Sequence, residues 1–137
     1  MTKRHDIRES AFLLIFEKLF RDDSLEEIFE LADSVDEIII NDDVKDVVIG
    51  VFSKSEELDT VISKFSDKRA IDRIAKINLA ILRLALYEIM YAERVPMNAA
   101  ISEAVLLAKQ YALEPDVAFV NGVLGSYARS TEAEKND

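Results

Sequence analysis

The sequence contains no cysteine and no tryptophan, and it has only three glycines and two prolines in 137 residues. Without cysteine the chain cannot form a disulfide framework or a thiolate zinc site. Scarce glycine and proline favour a helical fold over a turn-rich β-fold. No apolar run approaches the ~20 residues of a membrane-spanning helix, and the N-terminal MTKRHDIRES lacks the apolar core of a signal peptide. We therefore expect an all-α protein that stays in the cytoplasm and does not enter a membrane.

The net charge of −10 is unevenly distributed along the chain. Residues 22–46 contain eleven acidic residues and a single basic one, Lys45. Residues 1–21 and 64–83, in contrast, have surpluses of two and four positive charges. Because a local basic surface can bind phosphate on a protein that is acidic overall, the net charge does not exclude a nucleic-acid ligand.

Apolar residues recur at the helical spacing of three and four along most of the chain. They predict helices near 7–20, 25–32, 44–52, 58–65, 71–92, 98–111 and 115–129, the fourth either continuing the third or forming a helix of its own. Ser24 and Glu27 predict a capping box at the second helix. Asp42 or Asp43 is expected to cap the third helix, and Asn98 the sixth.

The segment 71–92 is apolar nearly all round, which is typical of a buried central helix. Its two interior charges, Arg83 and Glu88, need partners because a buried charge must be paired. They are five residues apart and therefore poorly placed to pair with each other. We expect each to reach another helix, with Glu103 and Lys109 as candidate partners, in a structural bridge rather than an active site.

The stretch FVNGVL, residues 119–124, contains the Asn-Gly dipeptide that is typical of β-hairpins. The four-residue spacing of Phe119 and Val123 nevertheless predicts a helix. Gly122 would then lie in a helix interior, at a cost of about 1 kcal/mol relative to alanine. Two explanations are open: a neighbouring helix approaches too closely for a Cβ atom, or a ligand lies against the backbone.

Catalytic motifs are not found in the sequence. The single histidine, His5, has no serine or cysteine nucleophile arranged around it. The acidic segment 22–46 lacks the spacing of a calcium loop, and the three glycines do not form a phosphate-binding loop. We expect no catalytic residue, no metal site and no cofactor, and therefore a protein that is not an enzyme.

The N-terminus combines cations with aromatic residues. Lys3, Arg4 and His5 precede a helix on which Arg8, Phe12 and Phe16 follow one another at a spacing of four. Phosphate neutralisation beside a stacking surface is what single-stranded RNA requires. The two phenylalanines fit a helical core equally well, so the pattern alone leaves both interpretations open.

Three segments of the C-terminal half strongly resemble the NusB family of bacterial transcription antitermination factors: INLAILRLALYEIMYAERVP (77–96), AAISEAVLLAKQYA (99–112) and FVNGVL (119–124). IRESAFLLIFEKLF (7–20) resembles the first helix of that family, whereas 22–65 matches only in helical pattern. The resemblance implies a single all-α domain of about seven helices in two small packed bundles. The N-terminal subdomain would cover about 1–66 and the C-terminal subdomain about 67–129, followed by a frayed tail at 130–137.

The resemblance also implies a function. NusB proteins bind the boxA element of nascent ribosomal-operon RNA together with a small-subunit ribosomal protein, NusE, and the pair joins the RNA polymerase elongation complex. Carried onto this sequence, the RNA contacts of the family fall on Lys3, Arg4, His5, Arg8, Phe16, Phe119 and Asn121. The contact with the ribosomal partner falls on Arg73, Lys76 and Asn78.

The sequence departs from the family pattern at four places. The usual arginine run is Lys3-Arg4-His5-Asp6, a tyrosine of the first helix is Phe16, a lysine before FVNG is Ala118, and an asparagine of the sixth helix is Ser102. Each change removes a charge or a polar contact. With three or four phosphates neutralised, log K should fall with log salt at a slope of about −2 to −3. The ribosomal partner is therefore expected to be necessary for useful affinity.

Other functions remain open on the sequence alone. The chain could be a NusB-like protein-interaction module that has lost RNA binding. It could also self-associate through the N-terminal surface that the resemblance assigns to RNA. The domain also resembles the N-terminal module of ribosomal-RNA cytosine methyltransferases, and this chain would fit that group only as a detached relative. The cations at the N-terminus distinguish the RNA-binding interpretation from the protein-interaction one.

Overall fold

The computed structural model describes residues 3–92 and 95–135, which form seven α-helices and one 3-10 turn. The helices are α1 (Arg4–Lys18), α2 (Leu25–Ala32), α3 (Asp42–Ser53), α4 (Ser55–Phe65), α5 (Lys76–Tyr91), α6 (Met97–Tyr111) and α7 (Glu114–Lys135), with the 3-10 turn at Ile71–Arg73. The predicted all-α fold is confirmed. In the part of the chain that the structure describes, no helix has the length and apolar character that crossing a bilayer requires.

The helices divide into two compact units, residues 1–54 and residues 55–137. This boundary differs from the one expected after residue 66, because α4 belongs to the second unit. Its apolar side chains Leu58 and Ile62 are fully buried, and the helix packs against α5 and α7. The helical pattern of 58–65 predicts a helix, but it does not show which other helices this helix packs against.

The first unit packs α1 against α2 and α3. Its buried apolar side chains are Ala11, Phe12, Leu14, Ile15, Ile28, Phe29, Ala32, Val44, Val48 and Val51. The Ser10 hydroxyl accepts a hydrogen bond from the Ile39 N–H at 2.9 Å, which fixes the loop between α2 and α3 on α1. Ile38–Ile40 belongs to this loop and does not form a strand.

The helix caps agree with the sequence at α2 and differ at α3 and α6. Ser24 Oγ accepts from the Glu27 N–H at 3.2 Å, which is the N-cap bond of the predicted capping box. At α3 the cap is Asn41, whose Oδ1 accepts from the Val44 N–H at 2.9 Å, and not Asp42 or Asp43. Helix α6 begins one residue before Asn98, with Pro96 at the N-cap position and no side-chain cap.

The second unit is built around α5, which packs against α4, α6 and α7. The predicted helix at 71–92 is divided, because Ile74 is extended between the 3-10 turn and α5 and buries its side chain there. Helix α7 continues to Lys135, where a frayed tail was predicted after Arg129. No glycine or proline interrupts 126–135, and Thr131 Oγ1 donates to the Tyr127 carbonyl at 3.0 Å.

Arg83 has a different partner from the one predicted. Its Nε and Nη2 atoms donate to Oδ1 and Oδ2 of Asp59 on α4, each at 2.8 Å. The candidate Glu103 was wrong because apolar spacing does not show which helix faces a buried charge. The expectation of a structural bridge between helices is confirmed for Arg83.

Candidate nucleic-acid interface

The predicted phosphate-binding residues of the N-terminus lie at the start of α1, not in a segment that precedes it. Lys3 is the N-cap residue, Arg4 and His5 belong to the first turn, and all three are exposed. Positive charge at a helix N-terminus opposes the helix dipole, although Asp6 in the same turn compensates in part. Helix stability therefore does not explain this placement of cations.

Arg8 is placed differently from the other predicted cations. It is only 6% exposed and lies one turn before the fully buried Phe12. Its side chain contributes to the interior of the first unit, and little of its guanidinium is accessible to a phosphate.

Three phenylalanine rings follow one another along α1 and the turn directly after it. The Phe12 and Phe16 centroids are 6.0 Å apart with nearly parallel rings, and Phe16 meets Phe20 edge to face at 5.0 Å. Phe12 is completely buried, Phe16 is half-buried and Phe20 is 62% exposed. The aromatic stripe thus emerges from the core towards the end of α1. Phe20 was not selected from the sequence, although its spacing of four from Phe16 was visible there.

Exposed cations and exposed rings therefore occupy opposite ends of α1. From Arg4 to Phe16 the helix rises about 18 Å, so one nucleotide cannot contact both. The cations nearer to Phe20 are engaged locally. Arg21 Nε donates to Asp23 Oδ2 at 2.9 Å, and this hydrogen bond together with the charge of Asp23 raises the pKa of Arg21. An RNA ligand would have to run along the helix to use both ends.

The stretch FVNGVL is helical, within α7, so the hairpin alternative is excluded. Phe119 is half-buried, and the Arg69 guanidinium carbon lies 4.7 Å from the centroid of its ring. Asn121 is exposed and lines a groove of about 720 Å³ between α6 and α7, together with Val105, Lys109, Ala112, Glu114, Val117 and Ala118.

Gly122 is exposed, and a Cβ atom added to it would meet nothing within 4 Å. The explanation that a neighbouring helix packs too closely at this position is therefore wrong. A ligand that approaches the open backbone is the alternative that the sequence left open.

The three residues assigned to the ribosomal partner are not equally accessible. Arg73 in the 3-10 turn and Lys76 at the start of α5 are exposed. Asn78 is 5% exposed, and its Nδ2 donates to Asp116 Oδ1 at 2.9 Å. Asp116 Oδ2 in turn accepts from the Leu113 N–H at 3.1 Å. Asn78 thus connects α5 with the beginning of α7 inside the second unit.

Exposed cations together with accessible aromatic rings are the combination that proteins binding single-stranded nucleic acid use. The family model described as the NusB family matches residues 5–129, and the chain belongs to this family.

Individual members of the family are similar to this chain over most of their length. The chain is 40% identical to the transcription antitermination protein NusB of Acetivibrio thermocellus, covering 92% of this chain and 88% of the relative. NusB of T. maritima superposes with a TM-score of 0.81 at 30% identity, covering 93% of this chain and 92% of that one. A chain from a crystal structure of the antitermination factors NusB and NusE in complex with dsRNA also has a TM-score of 0.81, at 28% identity over 93% of this chain and 96% of its own. These relatives support the non-enzymatic interpretation.

Proposed function

We propose that this protein is an RNA-binding transcription antitermination factor, which binds boxA of nascent ribosomal-operon RNA as a heterodimer with the ribosomal protein NusE. The observation that carries the proposal is the likeness, over 93% of the chain, to a structure of NusB and NusE in complex with dsRNA. In this role the protein acts in the cytoplasm and reaches the RNA polymerase elongation complex through its partners. No cofactor and no catalytic step is involved.

Within the first unit we assign phosphate contacts to Lys3, Arg4 and His5, which are exposed in or before the first turn of α1. Phe16, extended by Phe20, offers rings on which bases can stack. Arg8 supports α1 from inside, so its substitution should change stability before it changes RNA binding.

Within the second unit we assign Phe119 and Asn121 to RNA, because Asn121 is exposed and the half-buried Phe119 ring is partly accessible on α7. Arg73 and Lys76 are exposed and suit a protein partner. Asn78 supports that surface indirectly, through its hydrogen bond to Asp116.

The proposal is tested by fluorescence anisotropy with a boxA RNA and a scrambled RNA of equal composition, with and without NusE, at two salt concentrations. We expect a preference for boxA that becomes strong only with NusE, since three or four phosphate contacts give a salt slope of about −2 to −3 and only weak binding by this chain alone. If the two RNAs bind equally in every condition, the RNA assignment fails. The chain would then be a NusB-like protein-interaction module.

A further inference from the structure

The loop that follows α4 has an unusual backbone. Asp67 and Lys68 have φ angles of 57° and 59°, a left-handed conformation that is unfavourable for residues with a Cβ. The Lys68 N–H donates to the Ser63 carbonyl at 2.9 Å, and Ser63 Oγ donates to the Arg69 carbonyl at 3.1 Å. The first of these bonds is the long-range bond of a Schellman motif, which normally has glycine at the position of Asp67. The loop is thus held in a strained conformation by its own hydrogen bonds.

Arg69 directly follows the two left-handed residues of this loop and lies against the ring of Phe119. Its guanidinium carbon is 4.7 Å from the centroid of Phe119, although the two residues are 50 positions apart in the sequence. A second cation–ring pair, Lys64 over Phe65 at 5.3 Å, lies beside the same helix, because Phe65 meets Tyr127 of α7 edge to face at 5.6 Å. Phe119 and Tyr127 are about 12 Å apart along α7. The pairs Lys64–Phe65 and Arg69–Phe119 thus both lie beside α7.

One left-handed residue is enough to end a helix, but this loop has two, Asp67 and Lys68. The end of α4 therefore does not by itself require the conformation of this loop. Lys68 and Arg69 are exposed, and within residues 3–92 and 95–135 neither forms an ion pair. Gly122 lies one turn after Phe119 on α7, with open space where a Cβ would be. A planar cation, an aromatic ring and an open backbone therefore lie along the same part of α7.

We infer that Arg69 is a nucleotide-binding residue, which contacts single-stranded RNA beside Phe119 and over the open backbone at Gly122. The Phe119 ring covers one face of the guanidinium. The other face can stack on a base, and the N–H groups at its edge can donate to a phosphate. This inference rests on the proposed function and adds to it a contact that neither the sequence pattern nor the resemblance assigned.

The test compares Arg69→Ala with Arg129→Ala, which removes the same charge from an exposed arginine about 15 Å from Phe119 along α7. Affinity for a boxA RNA is measured by anisotropy in the presence of NusE. We expect Arg69→Ala to weaken binding roughly five- to tenfold and to reduce the salt slope by about 0.7. Arg129→Ala should change affinity less than twofold. Arg69→Lys should keep the slope but recover only part of the affinity, because the planar guanidinium is lost.

A second readout uses the absence of tryptophan from the sequence. Phe119→Trp places a single fluorescent reporter under Arg69, and we expect boxA RNA to change its emission. Adding Arg69→Ala to this variant should greatly reduce the change. Circular dichroism of each variant confirms that the helices are retained, so that a loss of binding is not mistaken for unfolding.

The possible failures are distinguishable. If the unsubstituted protein prefers boxA and Arg69→Ala binds it as well as Arg129→Ala does, the inference is wrong and the proposed function stands. If the unsubstituted protein shows no preference for boxA, the proposed function fails and the inference with it. If Arg69→Ala weakens binding of NusE while RNA binding by the chain alone is unchanged, Arg69 contacts protein and the inference is overturned.

Discussion

Replacing Gly122 by alanine should make the protein more stable and its RNA complex weaker. Gly122 is in the interior of α7, where glycine is about 0.8–1 kcal/mol less favourable than alanine. Its added Cβ would meet nothing within 4 Å, so no packing penalty opposes this gain. For a chain of this length, 1 kcal/mol corresponds to a rise in Tm of about 3–5 °C. Packing within the described structure therefore gives no reason for glycine at this position.

The matched control is Gly125→Ala, one turn further along the same helix. There the new Cβ would lie 3.3 Å from Arg129 Nη1, a contact that the flexible arginine side chain can relieve by a small movement. Both variants should therefore gain stability in urea or thermal unfolding, with Gly125→Ala gaining slightly less. Only Gly122→Ala should lose affinity for boxA RNA in the anisotropy assay.

Two results would refute this reasoning. A Gly122→Ala variant less stable than the unsubstituted protein would mean that the position is not open. A variant that is more stable and binds boxA RNA with unchanged affinity would mean that no ligand lies against this backbone. In the second case Gly122 would have no role in binding, and the proposed RNA contact would be reduced to Arg69 and Phe119.

Three further predictions concern other parts of the molecule. Asp59→Asn should reduce the free energy of unfolding by about 2–3 kcal/mol in urea titrations, because the buried guanidinium of Arg83 loses a charged partner that is itself partly exposed; a loss below 0.5 kcal/mol would contradict this. Replacing Lys3 and Arg4 together by alanine should reduce the salt slope of RNA binding by about 1.4 without lowering Tm, whereas an unchanged slope would remove these residues from the interface. The Tyr91 hydroxyl donates a hydrogen bond to Glu57 on α4, and this bond raises the pKa of Tyr91 above 10.0 in the folded protein. The contribution of this bond to stability is therefore present below pH 10.0 and is lost as the pH rises through the folded-state pKa. Tyr91→Phe should therefore flatten the decline of stability in this alkaline range, and an identical decline in both proteins would show that another group causes it.

The sequence was sufficient for the helices and insufficient for their contacts. Apolar spacing located all seven helices, and the Ser24 capping box follows from local chemistry alone. The partner of Arg83 could not be derived in this way, since it depends on which helix packs against α5. The same limit applies to Arg8, because a cation beside an apolar stripe has the same sequence pattern whether it is buried or exposed.

The site was least predictable where two distant segments meet. Phe119 was selected from the resemblance, but the cation above it was not. Arg69, which reaches that ring, directly follows Asp67 and Lys68 in left-handed conformations, and neither residue type indicates such a conformation as clearly as glycine would. A sequence pattern can show a basic segment, whereas the ring that it covers is determined by the path of the loop.

Three features that reduce the stability of the isolated chain lie at or beside residues that we propose to bind RNA. Cations stand at the positive end of α1, two non-glycine residues are left-handed before Arg69, and glycine occupies an open position in α7. Each is unfavourable by roughly 0.3–1 kcal/mol or more. Local rules are typically broken in this manner at functional sites, where a ligand recovers the cost. Bound RNA would offset the first feature with its phosphates, would stack on Arg69 beside the second and would lie against the third, so the proposed ligand accounts for all three.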